Sequence, residues 1–164
     1  MQRPQYGFTL VESLMAVAIG ASLAMLALPA LSALGGNTQS AGDLLASDLR
    51  EARRLAVMRS EKLVVCPVAA VDARCADGTD WSAGWMVVGG DATEPLILRR
   101  LPSEAGVRVE RLDAPTPLAL AADGSLHRAD GAFGAARWVA RGDTARWTCL
   151  SPAGHARSAG ENGC

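Results

Sequence analysis

Apolar and polar positions are distributed unevenly along this chain. From Phe8 to Leu34 there is no basic residue and one acidic residue, Glu12. The run is rich in Leu, Ala, Val and Met, a composition that suits a helix. Roughly 27 residues rising about 1.5 Å each exceed the roughly 30 Å hydrocarbon core of a bilayer, so a membrane-spanning helix is expected. Small residues at Ala16, Ala18, Gly20, Ala21 and Ser22 let neighbouring helices approach closely. Pro29 removes one backbone donor and is expected to kink the rod or melt it locally.

Gly35-Gly36-Asn37 interrupts the apolar run. Leu45, Leu49, Ala52 and Ala56 then recur in helical steps, with Arg50, Arg53 and Arg54 off that stripe. This predicts an amphipathic helix that extends the membrane helix to about Arg59. Its basic cluster reads first as a solvated face and second as a binding surface. Beyond Arg59 the pattern breaks into short apolar runs. Strands are expected at Lys62–Cys66 (ended by Pro67), Trp85–Val88, Leu96–Leu101, Val107–Leu112, Leu118–Ala121, Ser125–Arg128, Arg137–Ala140, Ala145–Leu150 and His155–Ser158. Gly89-Gly90-Asp91 and Ala122-Asp123-Gly124 are turn signals, and residues 69–84 read as a polar loop. Short strands between turns predict an antiparallel sandwich or paired sheets packed on the helix, an α+β head behind a long N-terminal helix. Trp81, Trp85, Trp138 and Trp147 are expected to pack in the core and its loops.

Bulk numbers change this picture little. The 164 residues suit one domain with an appendage, and a formal net charge of −1 gives no general attraction to nucleic acid or anionic lipid. The cysteines say more. Cys66, Cys75, Cys149 and Cys164 are an even set in a chain with an export-type start, which points to disulfides. Three connectivities exist, and short loops close most easily, favouring Cys66–Cys75 and Cys149–Cys164. Neither pair has the tight spacing of common zinc sites, so no metal is expected. Nothing calls for a cofactor. Ser, His and Asp occur without any motif that gathers them, and there is no phosphate-binding glycine loop, so no enzyme is expected.

The N-terminus has the wrong order for an ordinary secretory signal. The small residue Gly7 precedes the apolar core, so cleavage there leaves that core on the mature protein. Glu12 needs a reason, because a carboxylate deep in a membrane helix costs roughly 2.5–3.5 kcal/mol on insertion scales. Either it lies at the hydrated interface, or it is paired in an assembled state. Gly7-Phe8-Thr9-Leu10-Val11-Glu12 resembles the processing and assembly motif of type IV pilins and type II secretion pseudopilins. The resemblance implies removal of leader 1–7 by a prepilin peptidase and methylation of the Phe8 amine. It also implies pairing of Glu12 with the N-terminal amine of a neighbouring subunit. The physics agrees: an unpaired buried charge costs several kcal/mol, so wrong staggers of packed helices are rejected. Residues 8–36 would then be the inner-membrane and assembly helix, single-pass, and residues 37–164 a periplasmic head.

Arg50 to Arg59, then Val64-Val65-Cys66-Pro67, then Asp80-Trp81-Ser82-Ala83-Gly84-Trp85, are similar to segments of the GspH/FimT family of minor pilins. That likeness implies an N-terminal helix packed against two antiparallel sheets. It implies a minor pilin, a structural or priming subunit of a type IV pilus tip, with other pilins as partners. Alternatives are a minor pseudopilin of type II secretion and a DNA-binding minor pilin for natural transformation. Members of the last kind carry a Gly-Arg-x-Arg motif near the C-terminus; here Gly154, His155, Ala156 and Arg157 stand at those positions. His155 is mostly neutral at pH 7, so one permanent contact to double-stranded DNA is missing. From Asp113 to Cys164 the acidic and basic side chains balance. A bridge from Cys149 to Cys164 would pin this tail whatever its role.

Overall fold

The computed structural model describes residues 15, 37–69, 72, 74–89, 94–102, 106–113, 117–127, 134–142, 144–160 and 163–164. The chain divides into two compact units, Met1–Gly35 and Gly36–Cys164. Apart from helical Met15, the expected leader and membrane helix lie outside the described residues. Among the described residues no helix is long and apolar enough to cross a membrane.

The second unit opens with helix α1, Asn37–Arg59. Its stripe of Ala41, Leu45, Leu49, Ala52 and Ala56 is buried at 2% exposure or less. Ending this helix takes a left-handed residue, and Ser60 supplies it at φ 51°. The Glu61 N–H then donates to the Ala56 carbonyl and the Ser60 N–H to the Val57 carbonyl, closing the last turn. Arg59 in that turn complements the helix dipole.

Among the described residues nine strands follow, at each of the nine predicted places. One antiparallel sheet joins β1 (Leu63–Pro67), β2 (Gly84–Gly89), β3 (Ile97–Arg100), β5 (Leu118–Leu120) and β6 (Leu126–His127), in the order β3-β2-β1-β5-β6. The other joins β4 (Arg108–Arg111), β7 (Ala136–Arg141), β8 (Ala145–Leu150) and β9 (Ala156–Ala159), in the order β4-β7-β8-β9. The α+β expectation of a helix on two antiparallel sheets therefore holds for the head. Pro67, expected to follow the strand, is instead its last residue, opposite Trp85. There its missing N–H breaks no inner pairing, and its carbonyl accepts the Ala76 N–H.

Leu45 and Leu49 of α1 meet Leu63, Trp85 and Val87 of the first sheet and Val109, Trp138 and Leu150 of the second in one core. Burying each such side chain contributes about 1.5–3 kcal/mol, so this convergence dominates the head's stability. Polar groups tie the layers. Asp48 of α1 accepts from Trp85 Nε1 at 2.9 Å and from Arg99 Nε at 3.0 Å. That bond raises the affinity of the Arg99 guanidinium for its proton.

The loop over residues 69–84 departs from its polar reading. Trp81 within it is fully buried, edge-to-face on Trp138 with ring centroids 5.2 Å apart. Its neighbours hold it there. Asp80 accepts the Ser82 N–H at 2.9 Å, Ser82 Oγ accepts the Val109 N–H at 3.1 Å, and the Trp81 N–H donates to the Val109 carbonyl. Trp147 also differs from the other three. It lies half-buried on the outer face of the second sheet, against Gly163 of the tail.

Candidate functional site

The expected pairs are joined as disulfides: Cys66 to Cys75 with Cα atoms 5.5 Å apart, and Cys149 to Cys164 at 5.8 Å. The first closes a loop over Cys66, Val68 and Met86, a small apolar cluster on the outer face of the first sheet. The second fastens the tail across β8. The expected processing and assembly residues Gly7, Phe8 and Glu12 lie outside the described residues.

Gly154, His155 and Arg157 are brought together at the β8–β9 hairpin, with different roles. The Gly154 N–H donates to the Ser151 carbonyl at 2.9 Å and the Ser151 N–H to the His155 carbonyl at 3.0 Å. The β5–β6 hairpin repeats this form: Gly124 N–H to the Ala121 carbonyl at 2.8 Å, Ala121 N–H to the Ser125 carbonyl at 2.9 Å. Both glycines take positive φ, 76° at Gly154 and 79° at Gly124. The two loops press together. A Cβ on Gly154 would stand 1.9 Å from the Gly124 carbonyl oxygen. The Leu126 N–H donates to the Pro152 carbonyl at 2.8 Å. Arg53 of α1 underlies both loops, its Nε donating to the Ala153 carbonyl at 3.0 Å. Gly154 is thus demanded by packing.

The basic cluster of α1 is accordingly not one surface. Arg53 holds the hairpins, Arg54 pairs with Glu51 at 2.6 Å, and Arg50 donates to the carbonyl of Ala46. Reading the helix by charge alone could not separate these duties.

His155 and Arg157 are exposed. They border a hollow of about 380 Å³ whose lining includes Arg137, Cys149, His155, Arg157 and Cys164. Arg137 pairs with Cys149 across β7 and β8, and Cys149 with Arg157 across β8 and β9. The three form one row on the outer face. Sequence reasoning took Arg137 as an ordinary strand residue. The even spacing of Arg137 and Arg141, out of phase with Trp138, was the available signal for its outward direction. Nor does the balanced charge of residues 113–164 describe this spot. Asp113 is engaged by Arg111 at 3.2 Å and by the Arg137 N–H, and Asp123 caps its own hairpin through Ser125. Among the described residues no Asp or Glu side chain lines the hollow.

A larger cleft of about 610 Å³ lies between the β3 and β4 edges, lined in part by Asp80, Ser82, Arg100 and Arg108. Asp80 offsets one of the two arginines in this lining. Hydrogen bonds from Ser82 hold the Asp80 carboxyl below the usual range, and Arg108 adds to that. Asp80 and Ser82 serve to hold the turn that seats Trp81.

Residues 41–157 match the family model described as Type II transport protein GspH, and residues 2–28 match the prokaryotic N-terminal methylation motif. The fold is similar to crystal structures of the type IV minor pilin FimU from Pseudomonas aeruginosa strain PAO1. One has a TM-score of 0.57 at 19% identity, covering 76% of this chain and 94% of that one. A second crystal form has a TM-score of 0.58 at 20% identity, covering 76% and 89%. No curated protein matches significantly. A methylation motif ahead of a matched head, on a helix packed against two antiparallel sheets, means that this chain belongs to the GspH family of minor pilins and pseudopilins.

Proposed function

We propose that the protein is a minor pilin of a type IV pilus, a structural and priming subunit at the fibre tip. One observation carries the reading: the methylation motif at residues 2–28 precedes the GspH-type head at 41–157 in a single chain. Such a subunit needs an anchor that docks with other subunits and a head that stays folded outside the membrane. Leader 1–7 is removed at Gly7 by a prepilin peptidase, Phe8 becomes the methylated terminus, and residues 8–36 form the inner-membrane and assembly helix. Residues 37–164 are the periplasmic head. Glu12 pairs with the terminal amine of a neighbouring pilin, which sets the stagger between subunits. In cells, Glu12→Ala should leave membrane insertion intact and remove the subunit from sheared fibres. Normal incorporation of that variant would refute the pairing.

The same anchor and head suit a type II secretion pseudopilus, the system for which the GspH family is named. The pilus is favoured by the likeness of the head to the type IV minor pilin FimU. Deleting the gene discriminates: loss of surface pili with secretion intact supports the pilus, and the reverse outcome supports the pseudopilus. A second activity, binding of double-stranded DNA, is favoured by one local observation. Exposed His155 and Arg157 share a hollow with Arg137.

A further inference from the structure

We infer that Arg137 and Arg157 together form a two-cation notch for the phosphodiester backbone of double-stranded DNA, with Arg137 supplying the permanent charge that His155 lacks. The inference rests on the DNA-binding reading above and adds a residue that the tail segment does not contain. Arg137 and Arg157 stand on β7 and β9 in the row that runs through Cys149. Side chains in one row point to the same face, and two strand spacings separate their Cα atoms by about 10 Å. Both side chains are exposed, and among the described residues neither makes an ion pair or a side-chain hydrogen bond. Two like charges on one face disfavour each other unless an anion bridges them.

The surroundings favour an anion. The floor between the two arginines is the Cys149–Cys164 bridge, which is low in polarity; Ala136 and Leu150 beside it turn their side chains to the core. Such a floor excludes water and strengthens the field above it. Asp113, the carboxylate beside Arg137, is held by the Arg111 guanidinium and the Arg137 N–H. A guanidinium fork matches phosphate oxygens in a bidentate manner. Phosphates on one strand of a duplex rise about 3.4 Å per nucleotide, and the minor groove is about 6 Å wide. Two long side chains on anchors about 10 Å apart can therefore grip neighbouring phosphates or straddle that groove. The notch reads no bases, so its binding is independent of sequence and sensitive to salt.

The test uses the full chain in non-ionic detergent and a labelled DNA duplex, with anisotropy read between about 50 and 200 mM salt. Wild type is compared with Arg137→Ala, Arg157→Ala, Arg137→Lys and Arg54→Ala. Arg54 sits on the helix in its pair with Glu51 and controls for net charge. Each notch alanine should weaken binding several-fold and lower the slope of log affinity against log salt by about 0.9. Arg137→Lys should keep the slope, and Arg54→Ala should keep wild-type affinity. If wild type binds and Arg137→Ala is indistinguishable from it, the notch is refuted while the DNA reading stands. Equal weakening by Arg54→Ala would reduce the effect to bulk charge and also refute the notch. No binding by wild type at the lowest salt would overturn the DNA reading and the notch together.

Discussion

Gly154 shows how little a residue's identity says about its duty until its neighbours are known. In the tail it reads as the first position of a binding motif. In the fold its positive φ and the carbonyl of Gly124 leave no room for a side chain. Gly154→Ala should therefore cost the head at least about 2 kcal/mol, from left-handed strain and overpacking. Chemical denaturation would check this, and an unchanged midpoint would contradict the packing. Asp80 makes a comparable point about charge. Hydrogen bonds from Ser82 hold its carboxyl below the ordinary range, and those from Ser125 do the same for Asp123. A depressed folded-state pKa contributes stability above the unfolded value, near 3.9, and that stability is lost as pH falls through the folded value. The head should lose stability below about pH 4, and Asp80→Asn should flatten that loss. Thermal melts across pH would detect it. The loss should appear first near Trp81, whose fluorescence reports the turn that Asp80 caps.

At the scale of elements, much of the fold was legible. Helical steps through Leu45, Leu49, Ala52 and Ala56 identify the face that turns inward, and alternation with turn residues locates every described strand. The errors have physical causes. The packing of Trp81 was expected, but residues 69–84 read as a plain polar loop because Asp80 and Ser82, polar themselves, spend their polarity on fixing that ring. The row of Arg137, Cys149 and Arg157 was out of reach because register depends on pairing between strands, which local pattern does not specify. The cysteine pairs were legible because loop length alone separates them from their alternatives. Their worth follows from the same quantity. Closing a 15-residue separation contributes about 3 kcal/mol against the unfolded chain. The double variant Cys149→Ser, Cys164→Ser should lose about that much. Its Trp147 emission should also shift to the red as the tail lifts from the ring. A wild-type emission maximum in that variant would mean that the tail holds without its bridge.

For the whole molecule, the division of labour between the two units is the main result. The core draws on residues from Ala41 to Ala156, all within the second unit, and both disulfides lie there too. Changes in the anchor should therefore leave the head's melting unaltered, so the Glu12→Ala assembly test separates docking from folding. The candidate site was only half legible at this scale. His155 and Arg157 could be picked from the tail, whereas their setting required a sheet, a tethered tail and the engagement of Asp113 elsewhere.

Fibres bear load, and the load enters a pilin through its helix. Arg53 stands six residues before the end of α1 and reaches beneath two hairpins, one from each sheet. It acts as a rivet through three plates. Tension along the helix is shared between the sheets at that point, so neither sheet can peel away without shearing the bond to Ala153 and parting the two glycine turns. Arg53→Ala would remove the rivet, and the head would then yield at lower force when stretched from its helix than in a simple heat melt its stability would suggest.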